Sequence, residues 1–193
     1  MAKRKGLSFY KRKKKISHTL LMEIFSYIFI IFAATFFAFV LVITIGTKTS
    51  MIGVSMQPNL ENGQELLIDK FTYKLSKPKQ GDVVAFYPNG NDNTHCYIKR
   101  VIATPGDKIQ IRSGEIYVNG EVYGKGQYDK IADAGIVESE ILLGTDEFFV
   151  LGDNVNSSED SRSSNIGAIK KNYIVGKIWF HMASNQNGMG FMK

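Results

Sequence analysis

The chain has 193 residues, a formal net charge of +6, four prolines, three histidines and one cysteine. Eight basic side chains, from Lys3 to Lys15, lie in residues 1–23 against Glu23 alone, and the 16 basic and 17 acidic residues from Gly46 onward nearly balance. That distribution speaks against a nucleic-acid groove on the folded part; Cys96 is alone, so no intrachain disulfide forms, and zinc-type spacing and a Walker A loop are both absent.

The basic tail precedes an apolar run, which makes anionic lipid its natural partner. Residues 24–45 hold no charged side chain. A helix rising ~1.5 Å per residue makes this stretch about 33 Å long, enough for a hydrocarbon core of ~30 Å. The charge asymmetry of its flanks puts the N-terminus in the cytoplasm and everything after Gly46 outside. The run exceeds the ~7–15 residues of a secretory h-region and ends in Val42-Ile43-Thr44-Ile45-Gly46 without a small-x-small site, so an uncleaved anchor is expected. The predicted organisation is a tail over 1–19, a transmembrane anchor over 20–46 and an extracytoplasmic domain over 47–193.

Beyond the anchor, helical periodicity gives way to short apolar or alternating runs bounded by Gly, Asn, Asp and Pro. Strands are predicted over 65–69, 82–87, 96–103, 108–112, 115–118, 147–151 and 173–180. Ser113-Gly114 and Asn119-Gly120 are two-residue hairpin signals, joining three consecutive strands between Lys108 and Tyr123. Residues 124–146 read as a long loop or small insertion, and 182–193 as loosely ordered. The expected class is mainly β, a coiled antiparallel sheet or partly closed barrel behind one N-terminal transmembrane helix.

Three segments carry candidate chemistry. Ser55 lies in Gly53-Val54-Ser55-Met56-Gln57-Pro58, about ten residues past the membrane exit. Tyr97-Ile98-Lys99-Arg100-Val101-Ile102 reads as a strand in which two adjacent cations must face opposite sides. On an edge strand both heads reach water. On a covered strand one of them is driven into apolar surroundings. An ordinary lysine, with a pKa of ~10.4, is free amine in only about one molecule per few thousand at pH 7. Burial disfavours the charged form, and a drop of ~2 units costs about 2.7 kcal/mol. Such an amine can serve a serine hydroxyl as general base. The third segment, from Gly152-Asp153-Asn154 to Ser158-Glu159-Asp160-Ser161-Arg162, is a loop dense in hydroxyls and carboxylates, the composition of a shell that orients an amine.

Together these segments resemble the type I signal peptidases (leader peptidases), and the single span and small domain are most similar to the Gram-positive members. Ser55-Met56-Gln57-Pro58 resembles the nucleophile motif, Gly81-Asp82-Val83-Val84 a short strand motif, and Lys99-Arg100-Val101-Ile102 with Pro105-Gly106-Asp107 the lysine motif. Gly152-Asp153-Asn154 with Ser158 to Arg162 is similar to the final motif. All four occur in family order over roughly residues 20–180. The resemblance implies a membrane-bound serine endopeptidase that removes signal peptides from exported preproteins through an acyl-enzyme. Ser55 would be the nucleophile and its backbone N–H an oxyanion donor. Lys99 would be the general base, Ser158 the hydroxyl that orients the lysine amine, Asp160 and Arg162 a structural ion pair, and Asp153 an acid of the same motif. The implied partners are preproteins with small residues before the cut and the lipid bilayer, with no nucleic acid, metal or cofactor. Gly53 stands where some members carry an oxyanion-binding serine, as in Gram-positive-type members; Val155 replaces a commonly charged residue and Ala103-Thr104 a usual glycine.

The same residues bear on other chemistries. A sortase-like cysteine transpeptidase would use Cys96 with His95, His181 and Arg162, but His95 and Cys96 are neighbours expected to point apart, with Cys96 a small buried filler. A Ser/His enzyme lacks the Gly-x-Ser-x-Gly elbow. A Ser-Lys self-cleaving repressor is opposed by the anchor and by missing DNA-binding helices. A catalytically inactive signal-peptidase-like assembly factor for surface proteins is opposed by the presence of both Ser55 and Lys99.

Overall fold

The computed structural model describes residues 18–45, 47–184 and 187–192. The basic tail through Lys15, and Gly46, lie outside the described residues. Helix α1 spans His18–Ile45. Its segment His18–Val40 has a mean hydropathy of 2.2 and buries none of its side chains, and among the described residues it is the one helix long and apolar enough to cross a membrane. The described residues through Val40 and those from Leu41 onward form two separate compact units.

The second unit is mainly β. Its larger sheet has eight strands: β1 (Thr47–Ser50), β2 (Glu65–Asp69), β3 (Val83–Phe86), β4 (Tyr97–Ala103), β9 (Glu147–Leu151), β10 (Ile169–Lys170), β11 (Ile174–His181) and β12 (Gly190–Phe191). They run in the order β1-β2-β11-β3-β4-β9-β10, with β12 added to β11; every pairing is antiparallel, and the sheet curls into a half-barrel. The smaller sheet has the order β7-β6-β5-β8, made by β5 (Lys108–Arg112), β6 (Glu115–Val118), β7 (Glu121–Val122) and β8 (Ile141–Leu142).

The patterns in the sequence explain the burial. Strand β5 alternates, hiding Ile109 and Ile111, and β6 hides Ile116 and Val118. Strands β3 and β4 are instead buried along nearly their whole length, because β4 lies between β3 and β9 with core on both faces. Ile98 packs into one core cluster with Met56 and Leu60, Val101 into a second with Phe148, and Ile102 into a third with Ile109. The two hairpins turn where expected. Ser113 and Gly114, and Asn119 and Gly120, all have positive φ, between 53° and 83°, as a type I′ turn requires.

The structure decides or refines four points that the sequence left open or missed. Strand β4 is interior, so the edge-strand outcome for Lys99 and Arg100 does not arise. A single helical turn, α2 (Thr72–Leu75), follows β2, because the Asp69 carboxylate accepts from the N–H groups of Phe71 and Thr72 at 2.7 and 3.0 Å. Segment 124–146 holds a 3₁₀ turn at Gly135–Val137 and the strand β8, which pairs with β5. The C-terminal segment returns as β12 on β11, with the Phe191 ring centroid 5.8 Å from that of Trp179 and 5.4 Å from that of Phe180.

Candidate active site

Ser55 sits in a tight turn after β1. The turn is pinned from several sides. Met56 and Leu60 are fully buried below it, the Leu60 N–H donates to the Met56 carbonyl at 2.9 Å, and the Gly53 N–H donates to Asn62 Oδ1 at 2.8 Å. Gly53 has φ +84°, a conformation that favours glycine. The loop after β9 holds the turn from the other side: the Asn154 N–H donates to the Ser55 carbonyl at 3.0 Å. Gly152 makes that approach possible, since a Cβ there would lie 2.4 Å from the Ser55 carbonyl oxygen and 2.4 Å from Ser158 Oγ. The Ser55 N–H donates to no acceptor among the described residues, which leaves it available to an incoming oxygen.

Lys99 reaches this turn from the middle of β4. Its Nζ lies 2.6 Å from Ser55 Oγ, with both residues over nine-tenths buried, and 5.7 Å from the Tyr97 ring centroid. Burial drives the lysine pKa from 10.5 down to about 8. Asp160 and Glu159 oppose that fall, Arg162 adds to it and Asp153 opposes it. Desolvation wins because a buried ammonium with only a hydroxyl for direct partner cannot recover its hydration.

Arg100 points to the opposite face and is also buried, a result beyond the expectation that one of the two cations would be. Its Nε and one terminal nitrogen each lie 2.7 Å from the Asp153 carboxylate, and the other terminal nitrogen donates to the Gly81 carbonyl at 2.9 Å. Asp153 also accepts from Asn59 Nδ2 at 2.7 Å. It therefore ties the strand of Lys99 to the turn of Ser55. Asp160 and Arg162 form a second buried fork, at 2.8 and 2.9 Å. Arg162 further donates to the carbonyls of Val155, Ser158 and Asp133, so one side chain stitches the loop together. Asp160 also accepts from the Gly152 N–H at 3.2 Å.

Ser158 departs from what the resemblance implies: its Oγ is buried but has no hydrogen-bond partner among the described residues, so no bond from it to the lysine amine is formed here. The thiol-centred alternative finds no assembled site. Cys96 contacts Thr49 Oγ1 at 3.6 Å, His181 is bonded to Gln64, and Arg162 is committed to Asp160. Cys96 is half-buried rather than a buried filler, and it shares a wall with His95 because both lie before β4 begins. Among the described residues no group of three or more His, Cys, Asp or Glu side chains could hold a metal ion. Arg100, Asn59 and Asn154 were missed in the sequence. Their signal, a buried cation facing an acid, required knowing that β4 is interior.

A cavity of about 310 Å³ opens beside the pair, lined by Met51, Ile52, Ser55, His95, Cys96, Tyr97, Ile98, Lys99 and Glu159. Its lining combines the apolar Met51, Ile52 and Ile98 with Ser55 and Lys99. A larger cavity of about 620 Å³ lies nearby, with Ser158, Glu159 and Asp160 in its lining.

Comparison with known proteins gives the family. The family model "Signal peptidase, peptidase S26" matches residues 24–183. Signal peptidase IB of Staphylococcus aureus is 33% identical over 165 residues, covering 74% of this chain and 83% of the relative. Signal peptidase I of Bacillus caldolyticus is 37% identical over 140 residues, covering 66% of this chain and 74% of the relative. Among solved structures, a signal peptidase I from Enterococcus faecalis V583 is 27% identical with a TM-score of 0.42, covering 53% of this chain and 97% of that one. The match along most of the chain, and not any single motif, decides the matter: this chain belongs to the type I signal peptidases, the S26 family of serine peptidases that remove signal peptides.

Proposed function

We propose that the chain is a membrane-bound endopeptidase that cleaves signal peptides from exported preproteins through an acyl-enzyme on Ser55, with Lys99 as general base. The observation that carries this reading is the buried 2.6 Å contact between the Ser55 hydroxyl and the Lys99 amine. With its pKa near 8, roughly a tenth of the lysine is free amine at pH 7, against about one in a few thousand for an ordinary lysine. The neutral amine accepts the hydroxyl proton as Oγ attacks the scissile carbonyl. The Ser55 N–H donates to the developing oxyanion. The ammonium then protonates the leaving amine, and the regenerated amine takes a proton from the water that hydrolyses the ester. Lysine needs no carboxylate partner for this cycle, in keeping with the Ser-Lys variant of the triad. The Asp153–Arg100 and Asp160–Arg162 pairs hold the two reacting segments in register.

Residues 1–19 form the cytoplasmic tail, 20–46 a single transmembrane anchor and 47–193 the extracytoplasmic catalytic domain in this reading. Tethering holds the site at the surface where the apolar segment of a preprotein already sits, which raises their effective concentration. The partly apolar cavity beside Ser55 receives small side chains before the cut. The test is cleavage of a model preprotein by the full chain in detergent, alongside Ser55→Ala and Lys99→Ala. Loss of cleavage in both variants, with thermal unfolding preserved, is expected. Cleavage retained in either overturns the assignment, and an inactive wild type points to the assembly-factor alternative.

A further inference from the structure

Glu159 takes no part in the cycle above, yet it stands at the site. It is an exposed residue between Ser158 and Asp160, and it lines the cavity that contains Ser55 and Lys99. The Tyr97 hydroxyl donates a long hydrogen bond to Glu159 Oε2 at 3.5 Å, which draws the carboxylate toward the strand of Lys99. The same residue also lines the neighbouring cavity of about 620 Å³. Two other nearby acids are matched by cations, Asp160 by Arg162 and Asp153 by Arg100, while Asp133, on the neighbouring cavity, accepts from the Gly135 N–H. Glu159 has the neutral phenol as its one hydrogen-bond partner among the described residues, and it interacts electrostatically with the Lys99 amine on the same cavity. Among the described residues it is the one carboxylate lining the Ser55 cavity, and no ion pair holds it.

We propose that Glu159 is a specificity-determining residue of the cleft, favouring a lysine or arginine on a substrate residue flanking the cut and disfavouring an acid there. This rests on the peptidase reading of Ser55 and Lys99. The carboxylate is exposed, so water and salt screen it, and the preference it confers is modest. An exposed charge pair corresponds to roughly a two- to fivefold change in rate. Because Glu159 also favours the charged form of Lys99, its removal can change the overall rate. The ratio between substrates is free of that effect, since the lysine is common to all of them.

The test uses the full chain in detergent and a preprotein series. Each of the first few positions after the cut is set in turn to Lys, Gln or Glu, with the small residues before the cut kept, and kcat/KM is measured. At one position at least, wild type should cleave the Lys substrate about two- to fivefold faster than the Gln substrate, and the Glu substrate slower by a similar factor. In Glu159→Gln the three rates should converge. In wild type at 1 M salt they should approach each other, a result that does not depend on the variant's folding. Equal rates in wild type at every flanking position, or a preference that survives in Glu159→Gln, overturn this proposal while leaving the peptidase reading intact. A wild type that fails to cleave the unsubstituted preprotein overturns both.

Discussion

Replacing Lys99 with methionine removes an amine that the fold holds against its preference for water. In the folded protein burial lowers its pKa from 10.5 to about 8. At ~1.36 kcal/mol per unit, the charged lysine destabilises the native state by about 3 kcal/mol at pH 7. The unfolded chain keeps this proton up to pH ~10.4 and the folded chain only to about 8, so between those values the unfolded state binds more protons. Wild-type stability therefore climbs from pH 8 to 10.4, and below 8 the full penalty is present. Methionine has similar length and no charge, and its substitution forfeits the Ser55 hydrogen bond, worth about 1 kcal/mol. The net gain at pH 7 is about 2 kcal/mol, or roughly 4–8 °C in Tm for a domain of this size. Thermal unfolding of both full-length proteins in detergent at pH 7, 8.5 and 10 reads the effect. The variant should be inactive, more stable at pH 7, and lose its advantage by pH 10. A variant less stable at pH 7, or a gain that ignores pH, would refute the desolvation argument.

Three further outcomes follow from the loop after β9. Gly152→Ala puts a Cβ 2.4 Å from the Ser55 carbonyl oxygen, so the nucleophile turn must shift; kcat/KM for a model preprotein should fall about 100-fold, and near-normal activity would contradict that approach. Asp153→Ala leaves the Arg100 guanidinium buried without its carboxylate and should destabilise the chain by about 3–5 kcal/mol in denaturant titration; a loss below ~1 kcal/mol would show that the pair is not buried in solution. Ser158→Ala removes a buried hydroxyl with no partner, so Tm should hold or rise, whereas a fall of several degrees would show that the hydroxyl is bonded in the resting protein.

Much of this architecture was legible because its elements are local. The turn pairs Ser113-Gly114 and Asn119-Gly120 dictate left-handed backbone, and the flanking alternation fixes which side chains go inward. Strands β2, β5, β6 and β9 occupy the residues expected of them. Ser55 and Lys99 were nameable as a pair through the order of motifs. What escaped depends on partners far apart in sequence. Strands β8 and β12 have two residues each, too few for any period, and exist because β5 and β11 offer them an edge. The helical turn α2 depends on one capping carboxylate. The fate of Arg100 turned on whether β4 was interior, which its own sequence does not reveal. Cys96 belongs to the cavity wall because the chain has not yet entered the strand at that point.

The most direct measurement is the pH dependence of Ser55 acylation by a serine-directed acylating inhibitor, followed by intact mass on the full chain in detergent. The rate should rise about tenfold per pH unit below the lysine pKa and level off above about 8, with no adduct in Ser55→Ala and a sharply reduced rate in Lys99→Ala. A rate that keeps climbing to pH 10, or an adduct that forms equally fast without Lys99, would mean that the amine at 2.6 Å is not the base.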